Sequence, residues 1–457
     1  MNKKLPLYPL LLSALLLSFG GCGPLPKQPA SLPILTAEET ARRYQLDSEW
    51  WHRYGSPSLD KTVSTALERN LDLTKAAILV NRSCYEANLI GANLVPTFSA
   101  ENAISASKDL SGKSGTVHQY STGLSLNYEV DLWKRLRHAK SAAQWETLAT
   151  AADLESTRLA LINNAVDAWF SLRYLEKAIS IVERYVGRYR KLAELVTIKY
   201  DLGKIDSVEP LQAGQSLLAA QNRLLALQAE KRSEEARLKT LLNLRPDEPL
   251  PPQYGDIMAF SSLPVALDVP VAALSARPDI RAAEQRVKSS FSSVEAQRAE
   301  WLPRLSIGSA LRMEARKRSQ WFDAPFLSGF VSFTLPFLDW NSLRWELKIS
   351  ESSFELAKIE LQKAVTTALN EVDAAYVAWE KKRDTVKNFR ERCRKSEKIA
   401  SYYEARYDAG AAELKDYLEA LNNADTDTLS LLENHYQQLS YENAVYKSMG
   451  GRYLPKK

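Results

Sequence analysis

Two copies of one pattern, held 207 residues apart, constrain this chain more than any other feature. Asn93-Leu94-Val95-Pro96 reappears as Glu300-Trp301-Leu302-Pro303, and Lys199-Tyr200-Asp201-Leu202-Gly203 reappears as Arg406-Tyr407-Asp408-Ala409-Gly410. At the same offset Ser125 falls on Ser332, Trp133 on Trp340, Asn163 on Asn370, and Leu211-Gln212-Ala213 on Leu418-Glu419-Ala420. A single offset kept over so long a stretch means two copies of one unit with no net insertion, and repeats of this kind pack side by side.

Each copy has the same internal order. An amphipathic helix comes first, Leu67 to Leu94 and Arg277 to Trp301, stopped ahead of Pro96 and Pro303 because the residue before proline avoids helical angles. A period-two section follows. Tyr120, Thr122, Leu124, Leu126, Tyr128 and Val130 alternate with Ser121, Gly123, Ser125, Asn127 and Glu129. In the second copy Leu305, Ile307, Leu311 and Met313 oppose Ser306, Gly308, Ala310 and Arg312, and Val331, Phe333, Leu335 and Phe337 oppose Ser332, Thr334 and Pro336. One apolar and one small or polar face is the dyad that lipid outside and water inside would require. A single half-buried hairpin would show the same alternation; two equivalent ones strengthen the barrel reading. The polar connections Lys108 to His118 and Met313 to Phe326 are expected to be loops facing the cell exterior.

Very long helices come next. Arg135 to Tyr200 holds no proline and one glycine, Gly187, while Leu343 to Tyr407 holds neither. About 65 residues at 1.5 Å each make a rod of roughly 100 Å. Gly203 and Gly410 end the rods, and Val208 to Leu244 and Glu413 to Met449 return as second helices. The expected division is a first repeat over 59–245 (strands about 97–131, helical hairpin about 134–244), a Pro-rich connector over 246–275, and a second repeat over 276–457 (strands about 304–338, hairpin about 342–449).

The N-terminal end reads as a processing segment over 1–21. Lys3 and Lys4 precede the apolar run Leu5 to Phe19, and Gly20-Gly21-Cys22 resembles a bacterial lipoprotein signal, with Cys22 lipidated and Gly23 pointing to the outer membrane. Residues 22–58, with Pro24, Pro26, Pro29 and Pro33, read as a lipid-anchored tether. No later segment is apolar enough for a membrane helix, so any membrane crossing must be a closed β-barrel. The balance of 60 Lys plus Arg against 55 Asp plus Glu is too even to argue for nucleic acid. His52, His118, His138 and His435 share no ligand spacing with each other or with cysteine, and no phosphate loop, GxSxG or HExxH pattern occurs; neither a metal, a cofactor nor an enzyme is expected. Cys84 and Cys393 fall far apart along the rods and are not expected to form a disulfide.

Ala276-Arg277-Pro278-Asp279-Ile280, Trp301-Leu302-Pro303-Arg304-Leu305-Ser306, Tyr128-Glu129-Val130-Asp131-Leu132-Trp133 and Arg406-Tyr407-Asp408-Ala409-Gly410 together resemble the TolC/OprM class of outer-membrane efflux proteins, its lipoprotein branch in particular. The resemblance runs from about residue 45 to 450. It implies a mainly α protein with a β-barrel section: a homotrimer with a 12-stranded transmembrane barrel on a long periplasmic α-helical barrel. The implied role is the exit duct of a tripartite efflux system in a Gram-negative outer membrane. Its partners would be a periplasmic adaptor, an inner-membrane pump of the RND type and outer-membrane lipid. A type I protein-secretion duct and a pore-less envelope scaffold lipoprotein are the alternatives.

The resemblance also assigns roles. Asp416 and Glu419, three apart and so on one helical face, match an acidic ring that narrows the tunnel. Tyr407 and Glu209 match a latch between the hairpins near their tip, with Ala412 where relatives have a basic residue. Gly203, Leu211, Gly410, Leu414 and Leu418 match the tips on which an adaptor docks. Lys134 and Asn341 stand where the family has glycine between barrel strand and long helix.

Overall fold

The computed structural model describes residues 49–108, 110, 116–252, 254–262, 277–323 and 325–451. The expected signal segment 1–21, Cys22, the tether up to residue 48 and the connector from residue 263 lie outside the described residues.

The chain runs α1 (Pro57–Arg69), α2 (Leu71–Ala92), β1 (Thr97–Ser107), β2 (Val117–Val130), α3 (Arg135–Asp201) and α4 (Val208–Leu241). It continues with α5 (Pro278–Ala299), β3 (Arg304–Ala315), β4 (Pro325–Thr334), α6 (Trp340–Asp408) and α7 (Leu414–Ser448). The duplication is visible in these bounds, since α5 covers the positions 207 beyond α2. Rods α3 and α6, of 67 and 69 residues, reach roughly 100 Å.

The expected single helix from Leu67 to Leu94 is two helices. Asn70 is extended at ψ 127°; its side chain accepts from the Leu73 N–H at 3.0 Å and donates to the Leu241 carbonyl at 3.0 Å. An amide that caps α2 while holding the end of α4 breaks the helix. The end of the expected tether is also corrected: residues 49–58 belong to the folded body. Trp50 and Trp51 are each 3% exposed, Trp50 donates to Asn443 Oδ1 at 3.0 Å, and the Tyr54 hydroxyl donates to Glu442 Oε1 at 2.8 Å. Burying two indoles and a phenol fixes a segment that proline content alone would leave extended.

The main core lies where α1, α2, α3, α4 and α7 meet, around Trp169, Phe170, Leu154, Leu227, Leu439 and Tyr446. The start of the connector joins it: Ile257 is fully buried, and the Phe260 ring meets Trp169 and Phe170 edge-on. Near the hairpin turns a second cluster joins α3, α4, α6 and α7 around Tyr189, Val196, Tyr407, Leu414 and Tyr417. The two rods are unequal. α3 is largely buried, whereas α6 exposes Trp345, Ile349, Leu356, Ile359 and Leu369.

The four strands form one antiparallel sheet in the order β1-β2-β3-β4. Pairing between the repeats sets Val130 opposite Leu305, Tyr128 opposite Ile307 and Leu124 opposite Leu311. In β4, Phe333, Val331 and Leu327 continue those rows. This register puts these apolar rows of β2, β3 and β4 on one face, since a slip of one residue would reverse it, although β4 also sends Phe326 and Phe330 to the other face. Ser99, Ser125, Ala310 and Ser328 form a row on the other face. There Phe330 lies over Gly308, where an added Cβ would come within 2.2 Å of the ring.

β1 ends at Ser107, where the expected loop begins, β3 reaches further toward its loop than expected, to Ala315, and β4 stops at Thr334. Leu335 and Phe337 therefore leave the strand, because Pro336 has no N–H for a ladder and opens a 3₁₀ turn over Pro336–Asp339. The two strand-to-rod junctions differ. Lys134 takes left-handed angles at φ 62°, and the Asp131 carboxylate accepts from the Leu136 and Arg137 N–H groups. Asn341 needs no such angles, since the 3₁₀ turn delivers the chain directly into α6.

Candidate functional site

The two helical hairpins turn at the end of the molecule away from the sheet. Gly203 and Gly410 sit at φ 69° and 70°. Gly410 donates to the Tyr407 carbonyl at 3.0 Å and Ala411 to the Arg406 carbonyl at 2.8 Å, a left-handed helix stop that glycine adopts without a Cβ penalty.

On α7 the residues just beyond the turn separate by face. Leu414, Tyr417, Leu418 and Leu421 are buried against the first hairpin, while Asp416 and Glu419 are exposed together. This corrects the expectation that Leu414 and Leu418 present themselves to a partner, because at 1% and 5% exposure they are interior residues. Leu211 differs: it is 72% exposed and shares its turn with exposed Leu202 and Val208.

The expected Tyr407–Glu209 hydrogen bond is not made within the chain. The Tyr407 hydroxyl accepts from Lys199 Nζ at 3.3 Å, and the same ammonium lies 4.4 Å from the ring centroid. The ring stacks on Tyr417 at 5.8 Å, and the Tyr417 hydroxyl donates to Glu404 at 3.2 Å. Glu209 is half-buried, and its Oε2 has no hydrogen-bond partner among the described residues. A phenol beside an ammonium gains both a hydrogen bond and a cation–π contact, which favours Lys199 over a carboxylate. The first hairpin thus supplies a cation that Ala412 does not. Lys199 was legible in principle, because the repeat sets it at the place of Arg406.

Higher on the rods a second link was not anticipated. Arg188 on α3 makes an ion pair with Asp425 on α7, its Nη2 donating to both carboxylate oxygens. The Tyr189 hydroxyl lies 2.5 Å from Asn422 Oδ1 and 3.0 Å from Asp425 Oδ2. The guanidinium also rests over the Tyr185 and Tyr189 rings, at 4.8 and 5.4 Å from their centroids. Burial pushes the Asp425 carboxyl up, and the hydrogen bonds from Arg188 and Tyr189 pull it back. An open groove of about 450 Å³ runs beside this clamp between α3, α4 and α7. Nothing in the local sequence marks the clamp, since its partners are 237 residues apart.

Nearby, the Cys393 thiol donates to the Asp427 carbonyl at 3.1 Å, and burial pushes it up to about 11. Cys84, on α2, is half-buried, and both thiols are free. No metal-binding group of His, Cys, Asp and Glu occurs among the described residues. What the tip can do chemically is present acidic side chains and hold or release one hairpin from the other through the Lys199 and Arg188 links.

The profile described as "Outer membrane efflux protein" matches residues 62–244 and 269–451, two spans carrying the same 207-residue offset. The chain belongs to the outer membrane efflux protein family. Toxin and drug export protein A of Aggregatibacter actinomycetemcomitans is 36% identical over 420 residues, covering 92% of each chain. Among solved structures, CusC superposes with a TM-score of 0.82 at 20% identity, covering 88% of this chain and 94% of that one. The outer-membrane channel OprN gives 0.81 at 25% identity, covering 89% and 92%. Family membership accounts for the architecture: a TolC-like outer membrane efflux channel, mostly helical with a small sheet, and a transporter by family and fold rather than an enzyme.

Proposed function

We propose that this efflux family member is the exit duct of a tripartite pump, a trimer whose twelve strands close a membrane barrel above a periplasmic helical tunnel. The observation that carries the reading is the four-stranded sheet. It leaves β1 and β4 as unpaired edges and bears one predominantly apolar face, with Phe98, Leu124, Leu327 and Phe333 exposed. Four strands cannot close around a pore, because even eight leave an interior filled by side chains. Neighbouring copies would satisfy both edges, and the apolar face would meet lipid. The exposed apolar stripe of α6 supports the same assembly. The number three follows the family resemblance, as do a periplasmic adaptor meeting the hairpin tips near Leu211, an inner-membrane pump of the RND type, and a lipid on Cys22.

In the trimer Asp416 and Glu419 would form an acidic ring at the periplasmic mouth that favours cations. Mass measurement of the detergent-solubilised oligomer and conductance in planar bilayers test the reading. The wild type should be trimeric and pass a small, cation-preferring current. Replacing Asp416 and Glu419 with Ala should raise conductance and weaken the preference. A conducting wild type with an unaltered double variant rejects this gate, and a non-conducting wild type returns the pore-less scaffold. Palmitate labelling that persists in Cys22→Ser would reject the anchor. The name of the Aggregatibacter relative includes both toxin and drug export, so a type I protein-secretion duct is kept as the second reading beside small-molecule efflux. Export assays on a strain lacking the gene separate it from small-molecule efflux.

A further inference from the structure

The end of the sheet remote from the helices carries an ordered aromatic and cationic connection. The β3–β4 connection is tightly built rather than loose: the Gln320 N–H donates to the Lys317 carbonyl at 3.0 Å, and the Asp323 N–H to the Gln320 carbonyl at 3.1 Å. It folds onto one face of the sheet. Trp321 meets the Tyr120 ring at 5.2 Å and stacks on Phe322 at 5.5 Å. Tyr120 pairs with Ala315 on the apolar face that Leu124 and Leu311 continue. The aromatic cluster therefore sits at the upper rim of the surface that faces lipid in the proposed barrel, the place where Trp and Tyr concentrate in membrane proteins.

Directly before the cluster stand three consecutive exposed cations, Arg316, Lys317 and Arg318. Among the described residues none of the three makes an ion pair. Glu314 lies on the opposite, polar face of β3, opposite Ser121, which leaves Asp323 as the described carboxylate within the connection. Unpaired guanidinium groups bind phosphate oxygens bidentately, and an ammonium adds a point charge. An apolar aromatic foot with a cationic crown matches a lipid whose acyl chains lie beside the barrel and whose phosphates lie at its rim.

We propose that the β3–β4 connection is a binding surface for the phosphorylated headgroups of outer-leaflet lipid, with Trp321 and Phe322 against the acyl–headgroup boundary and Arg316, Lys317 and Arg318 on the phosphates. The proposal rests on the barrel reading, since it needs this face turned to lipid. It makes the outer rim of each protomer a lipid-specific contact, where the bare dyad pattern would accept any bilayer.

The test uses full-length protein in neutral detergent, titrated with bis-phosphorylated lipid A and read by native mass spectrometry. Each basic residue beside an anionic lipid surface contributes about fivefold in affinity. Arg316→Gln, Lys317→Gln and Arg318→Gln together should weaken binding by up to about 100-fold, and added salt should close the gap between wild type and variant. Trp321→Ala with Phe322→Ala should weaken binding in a salt-independent manner. Dephosphorylated lipid should bind the wild type as poorly as lipid A binds the triple variant, and millimolar inorganic phosphate should fail to displace lipid A. Equal affinity of wild type and triple variant overturns the proposal, and displacement by inorganic phosphate alone reassigns the site to a free anion. Trimer mass and conductance are recorded on the same preparations. A triple variant that conducts normally yet binds lipid A like the wild type refutes the lipid site, whereas a non-conducting wild type refutes the barrel beneath it.

Discussion

The clamp between α3 and α7 allows a worked prediction. Asp425→Ala removes the acceptor of two bonds from Arg188 and one from Tyr189, leaving a guanidinium held between two tyrosine rings without its counter-charge. Breaking a fully buried pair costs about 3–5 kcal/mol. Here the Asp425 side chain is 12% exposed but that of Arg188 is 37% exposed, so water re-solvates part of the stranded charge. The expected cost falls to about 1–3 kcal/mol, in line with charged hydrogen bonds that retain solvent access. Because the clamp joins two long hairpins and not the main core, the loss should appear as local opening of α7. Hydrogen exchange of the α7 amides from about residue 416 to 430 should speed up by about 5- to 150-fold, at tenfold per 1.4 kcal/mol, while amides around Trp169 hold their protection. Asp425→Asn keeps an acceptor for Tyr189 and should fall in between. In a double-mutant cycle Arg188→Ala should add little to Asp425→Ala, with a coupling of about 1–2 kcal/mol. Unchanged α7 exchange in Asp425→Ala, or strict additivity of the two substitutions, would refute the clamp as an energetic link.

Further outcomes follow from single residues. Gly308→Val should displace the Phe330 ring that now occupies the space of the new Cβ; the ring can swing into the open face, so the cost should be about 1 kcal/mol, and thermal unfolding should show it vanishing in a Phe330→Ala background. Lys134→Val should cost about 1–2 kcal/mol by forcing a β-branched residue into left-handed angles, whereas Lys134→Gly should cost nothing in the same melt. His435 is buried, bonded to the Ile257 carbonyl at 3.1 Å and faced by Arg390 and Asp256. Burial holds its imidazole below the ordinary value of about 6.5, so the unfolded chain takes up the proton first. Its contribution is present above about pH 6.5 and is lost as pH falls from there through the lower folded value. Melts at pH 7.5 and 5.5 should show the wild type losing more stability than His435→Gln.

The repeat, the length of the rods and the two-faced strands are legible in the residue order, because each is a local periodicity or a fixed offset. Proline, glycine and the 3.6- and 2.0-residue periods act through neighbouring residues, and they placed α2, α5, both rods and both hairpin turns within a few residues. The opposed faces of Tyr120 to Val130 and of Leu305 to Met313 were readable strand by strand. That these faces coincide comes only from the pairing of β2 with β3, which end and begin at Val130 and Arg304 and set Asn127 opposite Gly308. Tertiary packing also sets what burial does to particular side chains. Leu414 and Leu418 carry the same residue type as Leu211, yet only Leu211 stays outside, because packing of α7 against α3 and not hydrophobicity selects the face. Tyr407 found Lys199 rather than Glu209, and Arg188 found Asp425, since ion pairs between distant helices depend on the axial stagger of two rods. No local period encodes that stagger; it is set where the cores around Trp169 and Tyr189 interlock.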